Sequence, residues 1–433
     1  MAENTPTNRT QSHGQVHPAI AALGNLDLAL KRLTEFLSSI GTIWFFALVI
    51  LICTEVFLRE IFLSPIRGVT EMVAYSVVGA TFLQLAGTLY SERMTRADFL
   101  VSIVGKRMPK GEAVLEVMIS IIGVIAMILL LKAALPKFMD AYIEAEIVGN
   151  PGEFFFKVWP LRLLVIIGCA VTALAFAARA LRKMGALMLN YGTIGLGWLA
   201  VTCVALVAMW FVLFPMLMDA GLNNFTLGAM MLGVLVFVVL FGVHIGIAML
   251  VIGFVGLWLL KGRIAFGYTM LGIAGNEFLA NYYFSAVPLF VMMGLLVAAA
   301  DIGRETFAVA AWITKSTRGG LGIATVGANA VFAAITGSSV ASATVFAKIA
   351  TPEMIRHGYN KQFSVGVVAG SSVLGMLIPP SLLLIVYGFL AEQSVGFLFI
   401  AAIVPGLLLA GMMSLMIWLN ATFRPHTVFR AEP

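Results

Sequence analysis

The chain has 433 residues, of which 61% are hydrophobic and 11% are charged. In soluble domains about 45–50% of the residues are hydrophobic and about 25% are charged. This composition excludes a water-soluble globular protein of this length, because so much apolar surface could not be buried. The net charge of +6 does not indicate a nucleic-acid partner, since the Lys and Arg residues lie between apolar blocks, where they orient spans in a lipid bilayer.

The first half of the chain predicts four membrane spans and a linker span. Apolar blocks of about 20 residues, the length that crosses a bilayer, lie at about 40–61, 71–90, 116–135 and 161–181. The first block follows a polar tail and lacks a small-residue cleavage site, so we expect a retained span rather than a signal peptide. Residues 184–190 are expected to form a short connector, and residues 191–218 a fifth span.

Loop charges predict the side of the membrane on which each loop lies. Basic residues precede the first span, follow the second and end the fourth, whereas the loop after the third span is acidic and contains Asp140 and Glu144. Because cytoplasmic loops collect Lys and Arg, we expect both termini in the cytoplasm and the chain in a bacterial inner membrane.

The middle of the chain contains a long apolar stretch at 225–260. One tilted helix or two shorter spans would fit its length, and the charges of the later loops favour two spans broken near 242–246. Residues 261–284 are expected to form an interfacial loop on the outer side. A span is predicted at 285–300, and residues 303–317 are expected to form an amphipathic helix on the inner surface.

Two apolar segments near the C-terminus are interrupted. The first, 319–350, is broken at Thr336–Ser339 and has basic residues on both sides, which predicts a re-entrant hairpin that enters and leaves on the cytoplasmic side. The second, 362–390, is broken around Pro379 and Pro380 and predicts one crossing. A last span at about 397–420 brings the prediction to about ten crossings and one hairpin.

The two interruptions predict a binding site for a cation and an anionic substrate. Non-helical backbone persists at membrane depth only where it is buried in protein or lines a watery cavity. Gly337 permits a turn, and Pro379 and Pro380 remove two backbone donors and leave earlier carbonyls without helical partners. Free carbonyls and hydroxyls suit an alkali cation, and half-helix N-termini favour anionic groups. Paired interrupted helices are typical of secondary transporters.

The sequence shows no pattern typical of an enzyme. The five histidines have no metal-ligand spacing, and each of the three cysteines lies alone in an apolar block. A Gly-rich loop followed by Lys and Ser or Thr, as ATP hydrolysis would need, is not found. We therefore expect no enzymatic activity and no cofactor, and we expect transport to draw on an ion gradient or a partner.

These motifs resemble the large membrane subunit of the TRAP transporters, the tripartite ATP-independent periplasmic type. The resemblance is carried by the runs 335–342 and 371–381 and extends over about 222–425. The four-span block resembles the small subunit, and the span at 191–218 is similar to the linker helix of fused versions. The predicted domains are therefore 1–190, a small-subunit-like block with its cytoplasmic tail, 191–221, a linker helix, and 222–433, a first repeat of the large subunit.

The resemblance implies an all-α polytopic membrane protein that acts as a permease component of an elevator-type secondary transporter. A periplasmic substrate-binding protein would deliver organic anions, such as dicarboxylates or sialic acid, and sodium would be the coupling ion. Carried over by position, the sodium ligands, mostly backbone carbonyls, are Ala333, Thr336, Gly375, Ile378 and Pro379. The predicted substrate contacts are the hydroxyls of Ser338, Ser339 and Ser381.

One hairpin and one broken helix occur in this chain, whereas the family's large subunit has two of each in inverted repeats. We therefore expect half of an inverted-repeat transporter, which would need a second half or another copy of this chain as a partner and would not complete a transport cycle alone. Two alternatives stay open: another ion-coupled secondary permease without a binding protein, or a truncated membrane scaffold that does not transport.

Overall fold

The computed structural model describes residues 18–97, 101, 103, 105, 108–150, 154–219, 223–275 and 282–430. The chain forms two compact units, Met1–Ala280 and Asn281–Pro433. The predicted domain limits at 190 and 221 both fall within the first unit, and they stay predictions. The predicted cytoplasmic tail up to residue 17 and residues 276–281 of the predicted outer loop lie outside the described residues.

Four long helices contain the four predicted spans of the first unit: α1 (Pro18–Phe62), α2 (Val69–Tyr90), α3 (Pro109–Ile143) and α4 (Trp159–Asp219). Helix α4 also contains the predicted linker span, and the expected connector at 184–190 is helical because Met, Leu and Ala are strong helix formers. The helix is interrupted instead at Gly192, where φ is 59° and ψ is −150°, a conformation that glycine adopts without steric cost.

A short β-hairpin joins α3 to α4, in the segment that the sequence indicated only as an acidic loop. Strand β1 (Ile147–Asn150) pairs antiparallel with β2 (Phe154–Lys157). The buried Arg162 side chain anchors this hairpin, because its Nη1 donates to Glu146 Oε2 at 2.6 Å and to the Lys137 carbonyl at 2.8 Å. One guanidinium therefore connects the end of α3, the hairpin and the start of α4.

Three shorter helices follow in the first unit: α5 (Asn224–Leu240), α6 (Ile245–Lys261) and α7 (Ile264–Ile273). The predicted break in the apolar stretch is confirmed as a helix break, with Gly242 at φ 86°. The prediction of a loop at 261–284 is wrong for residues 264–273 and 282–284, which are helical. Gly262 ends α6 at φ 66°, and the apolar residues after it contain no proline, so a new helix begins at once.

The core of the first unit includes one buried charge cluster. The Glu116 carboxylate on α3 accepts hydrogen bonds from Arg96 at 2.7 Å and from Arg179 of α4 at 3.1 Å. The Lys183 ammonium lies 3.5 Å from the same carboxylate. Because a buried charge is costly unless it is paired, these contacts tie α3 and α4 to the loop after α2.

The second unit consists of nine helices among the described residues: α8 (Tyr282–Ala299), α9 (Ile302–Thr314), α10 (Gly320–Thr336), α11 (Ser339–Arg356), α12 (Lys361–Ser372), α13 (Leu374–Leu377), α14 (Leu382–Leu390), α15 (Val395–Phe423) and α16 (Pro425–Val428). The expected amphipathic helix is confirmed as α9, which buries Phe307 and exposes Arg304 and Glu305. It is bent by 66° from α8.

The prediction of an all-α polytopic membrane protein is confirmed apart from the β-hairpin. Within the described ranges, five helices are long and apolar enough to cross a membrane, or up to seven if each bent pair forms one span. Helices α5 and α6 have 17 residues each, at the lower end of the roughly 17–25 residues that a span needs, and α4 contains two predicted spans. The number of ten crossings stays a prediction.

Cysteine labelling would test the predicted orientation. In a background without the native cysteines, we expect an impermeant maleimide added to the periplasmic side to label cysteines placed at Ala145 and Asn223. Cysteines at Lys315 and Lys361 should react only after permeabilisation, because their loops are basic. All four positions are exposed, so burial would not account for a failure to react. Labelling of both lysine positions in intact cells would refute the orientation.

Candidate functional site

The predicted hairpin is formed by α10 and α11, which run antiparallel. Contacts join Phe332 to Phe346, with ring centroids 5.6 Å apart, and, further from the turn, Thr325 to Met354. Pairing of residues at increasing distance from Gly337 is the pattern of two arms folded back on one another. The predicted interruption is thus confirmed as a helical hairpin with its turn at 337–338.

The hairpin tip directly joins a helix C-terminus to a helix N-terminus. Gly337 lies in the left-handed region, at φ 59° and ψ 14°, and its N–H donates to the Ala333 carbonyl at 2.8 Å. Ser338 is the N-cap of α11, and its hydroxyl accepts from the Ala341 N–H at 3.4 Å. The last carbonyls of α10 and the first N–H groups of α11 therefore lie together at the tip.

The second predicted interruption is also confirmed. The helical segments Lys361–Leu377 and Leu382–Leu390 are bent by 43° relative to one another. Pro379 and Pro380 have no N–H, so the carbonyls of Gly375 and Met376 have no helical donor. The Ser381 hydroxyl donates to the Met376 carbonyl at 2.8 Å, and the Gly375 carbonyl lacks the partner that a continuous helix would give it.

The two interruptions meet in the structure, and glycines permit their close approach. A Cβ atom built on Gly375 would lie 3.1 Å from Ala333 Cβ and 3.3 Å from the Ser339 amide nitrogen. A Cβ atom built on Gly337 would lie 3.2 Å from the Pro380 carbonyl oxygen. These distances are shorter than the roughly 3.5–4.0 Å of an optimal contact. We call this place, where the hairpin tip contacts the proline break, the junction.

The other predicted ligand positions lie at or beside the junction. The Ile378 N–H donates to the Leu374 carbonyl at 2.8 Å, and its side chain packs against Gly406 of α15, where a built Cβ would lie 2.8 Å from Ile378 Cγ1. Pro379 follows directly and is half-buried. The structure thus brings Ala333 and Gly375 together, whereas the side chain of Ile378 faces another helix.

The hydroxyl groups of Thr336, Ser338 and Ser381 at the junction already have partners in the protein. Buried Thr336 donates from Oγ1 to the Phe332 carbonyl at 3.1 Å, which leaves its oxygen lone pairs available. Ser381 is fully buried, and its proton is committed to Met376. Ser339 is half-buried at the first residue of α11. The assignment of Ser338, Ser339 and Ser381 to substrate stays a prediction, and the ligand set for a cation does too.

The junction contains oxygen atoms and helix ends, and these groups determine which kinds of ion it can bind. Helix C-termini carry partial negative charge and helix N-termini partial positive charge, and both kinds of end occur here. Across the described ranges, no group of three His, Cys, Asp or Glu side chains could hold a metal ion. A cation at the junction would therefore be held by carbonyl and hydroxyl oxygens, which suits a hard monovalent ion better than a transition metal.

Sequence reasoning missed one group of residues beside the junction. Asn329 of α10 is fully buried and bonds to Ser342 of α11 and to Ser371 of α12. An asparagine within an apolar hairpin arm was the available signal, because a polar side chain at membrane depth needs a partner. Its partners could not be found from spacing, since they lie 13 and 42 residues away.

Comparison with known families divides the chain into two segments. Residues 48–186 match the family described as the DctQ component of tripartite ATP-independent periplasmic transporters. Residues 232–431 match the DctM component of the same transporters. The linker predicted at 191–221 lies between the two matches.

Several curated proteins of this type are similar to the chain. The C4-dicarboxylate TRAP transporter large permease protein DctM of Pseudomonas aeruginosa is 40% identical over 141 residues, 33% of this chain and 33% of that protein. The ectoine TRAP transporter large permease protein TeaC of Halomonas elongata is 30% identical over 139 residues, 32% of this chain and 33% of that protein. The sialic acid TRAP transporter permease protein SiaT of Haemophilus influenzae is 23% identical over 392 residues, 88% of this chain.

The chain spans about a third of the length of the large permeases and 60% of SiaT. The relatives are permeases and not enzymes. The helical hairpin, the proline-broken helix and both family matches occur in one polypeptide. The chain therefore belongs to the membrane components of the tripartite ATP-independent periplasmic transporters, with a DctQ segment followed by a DctM segment.

Proposed function

We propose that the chain is the membrane component of a sodium-coupled secondary transporter that takes up organic anions from a periplasmic substrate-binding protein. The observation that carries this proposal is the junction, where a hairpin tip and a proline-broken helix approach to within van der Waals contact. Secondary transporters bind their substrate and coupling ion where two interrupted helices meet.

Carbonyl groups with spare acceptor capacity support a sodium site at the junction. The Gly375 carbonyl has no helical donor, and the carbonyl of Ala333, which accepts one hydrogen bond from Gly337, keeps a second lone pair. Thr336, three residues after Ala333 on the same helix, adds a hydroxyl oxygen. These neutral oxygens match a hard monovalent cation, and the C-terminal helix ends that carry them add partial negative charge.

Helix N-termini at the same place support an anionic substrate. Helices α11 and α14 both begin at the junction, after Ser338 and after Ser381, and their partial positive charge favours a carboxylate. The three relatives described above are named for C4-dicarboxylate, sialic acid and ectoine, all of which carry a carboxylate. The tripartite periplasmic class of the two family matches supports a binding protein as the source of substrate.

Thiol protection would test the sodium site. A cysteine at Val340, whose exposed fraction is 74%, would report on the hairpin tip in a background in which Cys53, Cys169 and Cys203 are replaced by alanine. Sodium should slow its reaction with maleimide and potassium at equal ionic strength should not, because a bound ion stabilises one ordered conformation of the tip and depletes the mobile conformations in which an exposed thiol reacts fastest.

A second variant ties this protection to the proline break. Pro379→Ala restores a backbone donor to the helix and lets the Gly375 carbonyl pair again, so sodium should protect less at any given concentration. Equal protection by sodium and potassium, or protection that Pro379→Ala leaves unchanged, would exclude a sodium site at the junction.

Interaction with binding proteins would test the remaining part of the proposal. Purified chain in nanodiscs should bind one class of loaded substrate-binding protein, with C4-dicarboxylate-binding and sialic-acid-binding proteins as the two probes and a maltose-binding protein as the control. Binding of neither probe, together with sodium protection at Val340, would favour the alternative of an ion-coupled permease without a binding protein.

A further inference from the structure

Three fully buried polar side chains form a continuous chain of hydrogen bonds beside the junction. Ser342 of α11 donates to Asn329 Oδ1. Asn329 Nδ2 donates to Ser371 Oγ of α12 at 2.6 Å, and Ser371 donates in turn to the Val367 carbonyl at 2.7 Å. Each of the three side chains has an exposed fraction of 0%. We call Asn329, Ser342 and Ser371 the asparagine bridge.

The position of the bridge relates it to the junction. Asn329 lies four residues before Ala333, and Ser371 lies four residues before Gly375. Ser342 lies four residues after Ser338. Four residues make about one helical turn, or roughly 6 Å of rise. The bridge therefore joins all three helices one turn away from the atoms that meet at the junction.

The bridge constrains the helices in a way that apolar packing does not. The contact between Phe332 and Phe346 also holds the two arms of the hairpin, but apolar contacts have no direction and tolerate small shifts along the helix axes. Hydrogen bonds need donor and acceptor at a set distance and angle, and leaving a buried one unmade is costly. The bridge thus fixes the register of α10 against both α11 and α12.

We infer that Asn329 is a positioning residue, which sets the separation of the Ala333 and Gly375 carbonyls and thereby the size of the cation that the junction accepts. This inference rests on the sodium site proposed above. Asn329 is assigned a position rather than an ion contact, because its side chain bonds to Ser342 and Ser371 about one helical turn from the carbonyls that meet at the junction. The amide suits this role since it donates to one helix and accepts from the other.

Discrimination between cations would reveal this role. If the bridge sets the spacing of the oxygens, its loss lowers the affinity for sodium and reduces the preference for sodium over the smaller lithium ion. A residue with a merely structural role would lower thermal stability equally in both salts and would leave the ratio of the two affinities unchanged.

The experiment compares Ser371→Ala with Ser364→Ala in the Val340→Cys background. Ser364 is a matched control, because it is also fully buried on α12 and its hydroxyl donates only to Asn360 of its own first turn. Ser371→Ala should raise the half-protective sodium concentration by about tenfold, the effect of one unsatisfied buried donor, and should bring the lithium and sodium values closer together. Asn329→Leu should act in the same direction and more strongly.

The outcomes separate the inference from the site on which it rests. If sodium fails to protect the parent Val340→Cys chain, both the site and the inference fall. If sodium protects the parent but Ser371→Ala behaves like Ser364→Ala in both salts, the site stands and the positioning role is overturned. Ser371→Ala decides this even if Asn329→Leu does not fold, because removal of one hydroxyl leaves no large cavity.

Discussion

Replacing Gly375 by valine is expected to weaken the sodium response of the hairpin tip strongly. Even the first side-chain atom at this position would lie 3.1 Å from Ala333 Cβ and 3.3 Å from the Ser339 amide nitrogen. The two further methyl groups of valine would need space that backbone atoms occupy, so the hairpin tip would have to separate from the broken helix. We expect the half-protective sodium concentration at a Val340→Cys reporter to rise by more than about tenfold, which corresponds to about 1.4 kcal/mol.

Gly366→Val is the matched control for this substitution. Gly366 lies on α12, and a Cβ atom there would meet nothing within 4 Å. Both substitutions place a β-branched residue in a helix and have similar intrinsic costs there, so the comparison isolates the contact at the junction. Equal sodium responses in the Gly375→Val and Gly366→Val chains would show that the close approach has no role in sodium binding.

The glycine at the hairpin tip allows the same comparison from the other side of the junction. Gly337→Ala combines a left-handed backbone, which costs a non-glycine residue roughly 1–2 kcal/mol, with a contact of 3.2 Å to the Pro380 carbonyl. Gly358→Ala has the backbone cost alone, because Gly358 has φ +84° and no atom within 4 Å of a built Cβ. We expect Gly337→Ala to weaken the sodium response more than Gly358→Ala does. This difference would confirm that the proline break lies against the tip.

Removal of the Glu116 carboxylate is expected to have the largest effect on stability. Glu116→Gln keeps the shape of the side chain and removes the charge that three basic groups share. The side chains of Glu116 and Arg179 are only 9% and 8% exposed, so an uncompensated guanidinium would stay buried. Breaking a buried pair in this way costs about 3–5 kcal/mol, and we expect a marked loss of folded protein in detergent and a lower melting temperature.

Glu35→Gln is the control for the charge cluster. Glu35 and Lys31 are 62% and 54% exposed and their charged atoms lie 3.9 Å apart, so this surface pair contributes at most about 1 kcal/mol. The Glu35→Gln chain should melt close to the parent. If Glu116→Gln melted at the temperature of Glu35→Gln, the cluster on α3 and α4 would not be a stabilising contact of the first unit.

The sequence predicted the elements whose cause is local. A glycine at 337 between two apolar arms permits a left-handed turn, and two consecutive prolines remove donors from any helix that contains them. Both effects act within a few residues, so the hairpin and the broken helix could be predicted without knowledge of their neighbours. The break at Gly242 was predicted differently, because the length of the apolar stretch fitted one span or two and the charges of the later loops favoured two.

Features that depend on tertiary contacts could not be predicted in this way. The asparagine bridge depends on which helices are neighbours, and a spacing of 42 residues between Asn329 and Ser371 has no signature in sequence. The helix at 264–273 was missed because its polar neighbours on the C-terminal side suggested a loop. A connector was expected at 184–190, but this segment is helical because Met, Leu and Ala are strong helix formers, and the interruption of α4 occurs at Gly192.

Helix α4, which is broken at Gly192, also begins the connection between the DctQ segment and the DctM segment, and this connection determines the ratio in which a cell makes them. An unbroken α4 of 61 residues would be roughly 90 Å long, three times the hydrocarbon thickness of about 30 Å, so the turn at one glycine lets both halves of the helix lie in a single bilayer. The DctQ match ends at 186 and the DctM match begins at 232, so one continuous polypeptide joins them. A covalent tether of this kind fixes their stoichiometry at one to one and makes their association intramolecular, so assembly of the two segments does not depend on their expression levels.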